Sequence, residues 1–407
     1  MKKVDGTVTT PKGFFAGSAA AGIKYENRTD MALIFSKEPC NAAGVFTSNV
    51  VKAAPVLWDK NLIEEKNDIH AIVVNSGIAN ACTGKEGMDI CKQMAKSVAD
   101  NMNIDEKNVL VSSTGVIGFQ IPMEKAANGI KEMSSNIADT RKAGNDAAKA
   151  IMTTDTHEKE LCIELEIDGK ICHIGAIAKG SGMIHPNMCT MLCFVTSDVS
   201  ISKGMLQKAL SSIVIDTFNM ISVDGDTSTN DSLMVIANGL AKNKMIDEEN
   251  DDYKIFYDGL FYVCKEMAMM LAGDGEGATA LFEVDIKNAD SKENARTLAK
   301  SVICSNLTKA AIFGHDANWG RILCALGYSG ASFDPDNIEL FIESSEGRLL
   351  LFKDGKAADY SEDEASKILS KDKVSAIVDM HMGSACASAW GCDLTYDYVK
   401  INADYRS

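Results

Sequence analysis

The chain has 407 residues, long enough for two or three cores, and its 46% hydrophobic and 24% charged content is ordinary for a soluble globular protein. Its 41 basic and 57 acidic residues leave a formal net charge of −16, which repels phosphate backbones and sets nucleic acid aside as a partner. No stretch approaches the ~20 apolar residues of a membrane span, and the 12 cysteines contain no Cys-x-x-Cys pair and read as buried thiols of a reducing compartment, so a cytoplasmic protein without membrane association is expected.

The apolar runs Ala71-Ile72-Val73-Val74 and Asn108-Val109-Leu110-Val111 each end in a Ser/Gly turn and predict buried strands that deliver loops. Those loops hold Asn75-Ser76-Gly77 and Thr114-Gly115. Between them, Cys91, Met94, Ala95, Val98 and Met102 fall at helical spacing. Leu161, Ile163, Leu165 and Ile167 alternate with polar neighbours, and Asp168-Gly169 turns the chain into Ile171-Cys172-His173-Ile174, which predicts a β-hairpin. Further on, Leu206, Ala209, Leu210, Ile213 and Thr217 predict one helix, and Phe256, Leu260, Cys264, Met267 and Leu271 another. The acidic run 247–252 reads as a solvated turn between helices. Strands follow at 281–286 and 338–342, and Asp354-Gly355 marks a second hairpin after Leu349-Leu350-Leu351-Phe352. The expected fold class is α/β (α+β), with helices covering sheets.

Thr190 stands where the Gly- and Pro-punctuated loop Lys179-Gly180-Ser181-Gly182-Met183-Ile184-His185-Pro186-Asn187-Met188-Cys189 meets the apolar run Met191-Leu192-Cys193-Phe194-Val195. A hydroxyl at that junction is placed as a strand-initiating nucleophile would be. If the Cys189-Thr190 bond were cut, Thr190 would gain an α-amine next to its own hydroxyl. Such an amine titrates at about 7.7 to 8.0 and can take the hydroxyl proton near neutral pH.

The same segment resembles the self-cleavage segment of the ornithine acetyltransferase family, the glutamate N-acetyltransferases of arginine biosynthesis. The likeness extends along the chain through Ala43-Gly44-Val45-Phe46-Thr47, Asn75-Ser76-Gly77-Ile78-Ala79-Asn80-Ala81-Cys82-Thr83-Gly84, Ser112-Ser113-Thr114-Gly115-Val116-Ile117-Gly118, Asp224-Gly225-Asp226-Thr227-Ser228-Thr229-Asn230-Asp231, Gly273-Asp274-Gly275-Glu276-Gly277-Ala278-Thr279, Asn318-Trp319-Gly320-Arg321 and Tyr398-Val399-Lys400-Ile401-Asn402-Ala403. The resemblance implies a self-processing architecture of the N-terminal-nucleophile type with a second, smaller domain. An α fragment 1–189 and a β fragment 190–407 would result, with roughly 190–280 completing the first domain and 281–407 forming the second, in an assembly of two α and two β fragments.

It also implies site residues. Thr190 would attack the acetyl group of N-acetylornithine, ornithine would leave, and glutamate would accept the acetyl group. Thr114 and Gly115 would be the oxyanion donors, and Thr153, Lys179, Thr190, Glu276, Asn402 and Ser407 would contact substrate. Thr154 adjoins Thr153, so that assignment can shift by one residue. No cofactor is expected, and acetyl-CoA stays open as a second donor. Two departures stand out: Cys189 precedes the nucleophile where Ala is common, and Ser407 ends the chain where Thr is common. The Cys189 thiol thereby enters as a rival reactive group. A self-processing amidohydrolase or aminopeptidase of similar architecture, with water as acceptor, and an uncleaved relative that only binds amino acids are the alternatives.

Other patterns carry no site. Gly273-Asp274-Gly275-Glu276-Gly277 follows a helix and opens a strand, the reverse of a dinucleotide loop. Asp224-Gly225-Asp226 begins like a calcium loop, but Thr229 and Val235 occupy the positions that need Gly and Glu, which leaves a structural turn. His185, Cys189 and Cys193 would share a metal only on a helix, which Pro186 argues against, so no metal is expected.

Overall fold

A computed structural model describes residues 1–65, 68–185 and 191–403. The chain divides into two compact units, one of Met1–Gly180, Asn187–Ile215 and Thr227–Met267, the other of Ser181–Pro186, Asp216–Asp226 and Ala268–Ser407. The architecture is mixed α/β, as expected.

The first unit is built on strands β1 (Lys2–Val4), β2 (Phe14–Ala19), β3 (Met31–Phe46), β4 (Ile69–Asn75), β5 (Val109–Ser113), β6 (Lys159–Ile167), β7 (Lys170–Lys179), β8 (Leu192–Ser197) and β10 (Ser232–Ala237). They form one sheet in the order β1-β6-β7-β8-β10-β3-β4-β5, with β2 also paired to β3. Strands β4 and β5 run parallel, and the helix Gly84–Met102 connects them. That helix buries Cys91, Met94, Ala95 and Val98 of the predicted stripe, with Ile90 beside them, while Met102 at its end is half-buried. The sheet is covered on both faces. Ile72 and Val74 of β4 join one core with Phe14, Ile177, Phe194 and Met234, while Ala71 and Val73 join another with Leu33, Met94, Val109 and Val111. Burial on both faces explains why β4 and β5 read as unbroken apolar runs.

The predicted hairpin is present: β6 and β7 pair antiparallel with Ile167 opposite Lys170. Asp168 and Gly169 both take positive φ, 50° and 64°, the geometry of a two-residue turn whose twist matches that of the strands. The helix expected through Thr217 instead ends at Ile213 and tightens into a 3-10 turn over Val214–Asp216. The β-branched run Ile213-Val214-Ile215 weakens the helix there. Residues 247–251 of the acidic run are exposed and Asp252 is half-buried, but the run follows β10 and not a helix. Asp251 and Asp252 form the first turn of the helix Asp251–Gly273, where carboxylates favour the helix dipole.

The second unit contains β9 (Ile221–Ser222), β11 (Leu281–Ala289), β12 (Glu339–Ser344), β13 (Gly347–Lys353), β14 (Lys356–Ala357), β15 (Lys373–Asp379) and β16 (Ala385–Cys392). Their order is β14-β13-β12-β15-β11-β16-β9. In β11, Phe282, Val284 and Ile286 are buried and alternate with partly exposed Leu281, Glu283 and Asp285. The predicted second hairpin is β13-β14, with Lys353 opposite Lys356 and positive φ at Asp354 and Gly355. Among the described residues no helix is long and apolar enough to cross a membrane.

Candidate active site

The two parallel strands β4 and β5 deliver their loops side by side in the first unit. The Ser113 hydroxyl donates to Asn75 Oδ1 at 2.7 Å, and the Asn75 amide donates to the Ile78 carbonyl at 2.9 Å. The Thr114 N–H reaches the Asn75 carbonyl at 3.0 Å and the Val116 N–H the Gly77 carbonyl at 3.1 Å. Asn230 fastens both loops by donating to the carbonyls of Ala79 and Ser113. Between these anchors, Gly115 has φ +129°, and a Cβ there would lie 2.2 Å from the Gly77 carbonyl carbon. Only glycine fits. The Gly115 N–H has no hydrogen-bond acceptor among the described residues.

Lys179, the last residue of β7, is buried and donates from Nζ to Thr114 Oγ1 at 3.1 Å. An ammonium has donors and no acceptor. The Thr114 oxygen is therefore the acceptor in this contact, and its own single proton is left for a different acceptor. Thr114 can thus donate its hydroxyl proton next to the Gly115 N–H in the chain.

The hairpin register sets Lys159, the first residue of β6, opposite Ala178, next to Lys179. Asp155 accepts from Lys159 Nζ at 2.7 Å and from the Gly180 N–H at 2.6 Å with Oδ1, and from the Thr153 N–H at 3.0 Å with Oδ2. The side chains of Asp155 and Lys159 are fully buried. Arg28 pins the same loop by donating to the carbonyls of Met152 and Thr153. Burial alone raises the Asp155 carboxyl, but Lys179 and then Lys159, with the hydrogen bonds from Lys159 and the Thr153 N–H, outweigh it and hold the group down at about 2.

That value lies below the ordinary 3.8, so the Asp155 carboxylate stabilises the fold fully above about pH 4, and its contribution, on the order of 2 kcal/mol, is lost as the pH falls toward 2. Asp155→Asn is expected to show a smaller drop in urea midpoint than the parent between about pH 4 and pH 2.5. Equal drops in both proteins would contradict the anionic assignment.

In the second unit, Glu276 follows the helix end and is buried. Its N–H donates to the Ser181 carbonyl at 3.1 Å, and a Cβ on Gly182 would lie 2.3 Å from its carboxyl carbon. Gly182 is thus the residue that lets the backbone approach the carboxylate. The Asn402 amide donates to Glu276 Oε2 at 2.7 Å from the helix Tyr396–Ala403. That helix sits on Gly277, which has φ +70° and where a Cβ would lie 2.8 Å from the Tyr398 nitrogen. Asp224 accepts from the N–H groups of Met183 and Ile184 at 2.6 and 2.9 Å, so the Asp224-Gly225-Asp226 run is a structural turn that holds residues 183 and 184. Burial raises the Asp224 carboxyl despite those N–H groups.

Among the expected site residues, Thr114 meets Lys179, Gly115 and Thr153 join them in the first unit, and Glu276 meets Asn402 in the second. Thr190, Cys189 and Ser407 lie outside the described residues. His185 contacts Ser222 Oγ at 3.0 Å and Cys304 Sγ at 3.5 Å, and burial followed by the Lys300 charge lowers it to about 4. Cys193 is fully buried in β8, and no group of three or more metal-ligating side chains occurs among the described residues. Asp155 and Lys159 were missed by the motif reading. One signal pointed to them: Lys159 is in phase with Leu161, Ile163, Leu165 and Ile167, so the alternation itself buries a charge that needs a partner.

These features describe a mixed α/β protein of two compact units, with a buried, charged cluster where neighbouring strands end. The family model described as the ArgJ family matches residues 15–407, and the chain belongs to that family. The arginine biosynthesis bifunctional protein ArgJ of Caldanaerobacter subterraneus subsp. tengcongensis is 49% identical over 407 residues, covering 100% of both chains. Its namesake from Thermotoga neapolitana is 50% identical over 398 residues, covering 98% of this chain and 99% of the relative. Among solved structures, a chain of the arginine biosynthesis bifunctional protein argJ from Bacillus halodurans is 46% identical with a TM-score of 0.49, covering 52% of this chain and 97% of that one. A chain of the ornithine acetyltransferase from Mycobacterium tuberculosis, complexed with ornithine, is 38% identical with a TM-score of 0.43, covering 46% of this chain and 97% of that one.

Proposed function

We propose that this protein is a bifunctional enzyme of arginine biosynthesis that moves an acetyl group from N-acetylornithine to glutamate. The chain cleaves itself between Cys189 and Thr190, giving fragments 1–189 and 190–407 that stay together as two α and two β fragments. The new α-amine of Thr190 takes the proton of the Thr190 hydroxyl, and the oxygen attacks the acetyl carbonyl of N-acetylornithine. The carbonyl oxygen becomes an oxyanion held by the Thr114 O–H and the Gly115 N–H. The C–N bond breaks, the proton passes to the departing nitrogen, and ornithine leaves an acetyl ester on Thr190. Glutamate then attacks that ester through its amine and restores the hydroxyl. Lys179, Thr153, Glu276, Asn402 and Ser407 bind the amino-acid portions. No cofactor takes part, and acetyl-CoA serves as the other donor in the second activity.

The observation that carries this reading is the Lys179 to Thr114 hydrogen bond, which leaves the Thr114 proton for an acceptor beside the Gly115 N–H. Relatives named as arginine biosynthesis bifunctional proteins at 49 and 50% identity support the pathway. The test is incubation with N-acetylornithine, with and without glutamate. N-acetylglutamate is the expected dominant product when glutamate is saturating. Free acetate as the dominant product under that condition would favour the hydrolase reading. Glutamate acetylation assayed with each donor separately tests the second activity.

A further inference from the structure

We infer that Lys159 and Asp155 form a positioning pair that keeps Lys179 on Thr114, so that Lys159 sets the oxyanion donor from one residue away. The inference rests on the acetyl-transfer reading above. The buried group contains two ammonium side chains and one carboxylate. Lys159 takes the carboxylate directly at 2.7 Å, while the Lys179 ammonium is directed to the Thr114 hydroxyl at 3.1 Å. Asp155 is also held from two sides by backbone N–H groups, those of Thr153 and Gly180, and cannot follow a lysine that moves. The charged groups around it are Lys159 on β6, Lys179 on β7 and, through the loop carbonyls of Met152 and Thr153, Arg28.

Removal of the Lys159 ammonium leaves the fixed carboxylate facing a single cation. A buried carboxylate draws an ammonium far more strongly than a neutral hydroxyl does. Lys179 then turns toward Asp155 and gives up Thr114, whose proton is no longer oriented. Lys159 touches neither substrate nor reacting atoms in this scheme. Its effect passes entirely through Lys179 and Thr114, which separates it from a general contribution to folding.

The experiment is a double-mutant cycle on the full, processed protein, with N-acetylornithine as donor and glutamate as acceptor. Lys159→Met is expected to lower kcat roughly 10- to 100-fold, the range for displacing an oxyanion donor, with KM for N-acetylornithine changed by less than about threefold. In a Thr114→Val background the same substitution should be silent, because the group it positions is gone. Lys159→Arg keeps the charge and should restore most of the activity. If Lys159→Met does not accumulate as folded protein, Lys159→Gln, which also removes the ammonium and leaves the Asp155 carboxylate in place, takes its place in the cycle and must likewise be silent once Thr114 is Val. Losses that multiply in the double variant, or an unchanged kcat in Lys159→Met, overturn the inference while the acetyl-transfer reading stands. Absence of transfer in the wild-type protein overturns both.

Discussion

Thr190→Ala is expected to leave a single uncut chain of 407 residues on a denaturing gel, where the proposed self-cleavage would split the parent into two fragments meeting at the Cys189-Thr190 bond. Cleavage requires the hydroxyl to attack the carbonyl just upstream of it, and alanine has nothing to attack with. Acetyl transfer is expected to fall with cleavage, because in the proposed mechanism the same oxygen carries the acetyl group and the same event creates its base. Loss of such a nucleophile costs on the order of 10⁴-fold or more in kcat. Thr190→Ser keeps an oxygen and an amine on one residue and should both cut and transfer. If Thr190→Ala still splits at that bond, the nucleophile is elsewhere, and the neighbouring Cys189 thiol becomes the first candidate.

Thr114→Val lowers kcat by roughly 10²- to 10³-fold, or about 2.7 to 4 kcal/mol in the barrier, with little change in KM. Valine matches threonine in shape and removes only the hydroxyl that accepts from Lys179 and, in the proposed mechanism, donates to the oxyanion. Transfer kinetics at saturating donor and acceptor measure the loss, and a kcat within threefold of the parent would remove Thr114 from the oxyanion role. Gly115→Ala tests the adjacent donor less cleanly. Its Cβ would lie 2.2 Å from the Gly77 carbonyl carbon at φ +129°, so the loop must shift and stability drops along with activity. A melting measurement separates the two contributions.

Much of the fold follows from local pattern. Asp168-Gly169 between two alternating runs specifies the β6-β7 hairpin because both residues tolerate positive φ. The stripe Cys91, Met94, Ala95 and Val98 specifies the helix between β4 and β5 because those residues must share one buried face. What escaped depends on contacts between distant parts of the chain. The stretches Ser181–Pro186 and Asp216–Asp226 belong to the second compact unit although sequence on either side of each belongs to the first. No change of composition marks those crossings. The end of the helix at Ile213 also escaped, since Thr217 continues the helical spacing after the backbone has tightened.

The candidate site divides in the same way. Thr114-Gly115 was legible as a strand-ending loop, and Lys179 as the start of the loop that leads to Thr190, but their meeting at 3.1 Å joins the ends of β5 and β7, which are not neighbours in the sheet, and no spacing shows it. A lysine is usually exposed, whereas Lys179 is buried beside Asp155. Glu276 and Asn402 lie 126 positions apart and meet only because the C-terminal helix sits on Gly277.

Mass analysis of the fragment that begins at Thr190, taken after exposure to N-acetylornithine with glutamate withheld, probes the covalent step itself. The expected spectrum has one added acetyl group on Thr190, which disappears when glutamate is supplied. An unbroken chain that turns over at the full rate, or a fragment that never carries acetyl while transfer proceeds, would contradict catalysis through an acetyl-threonine.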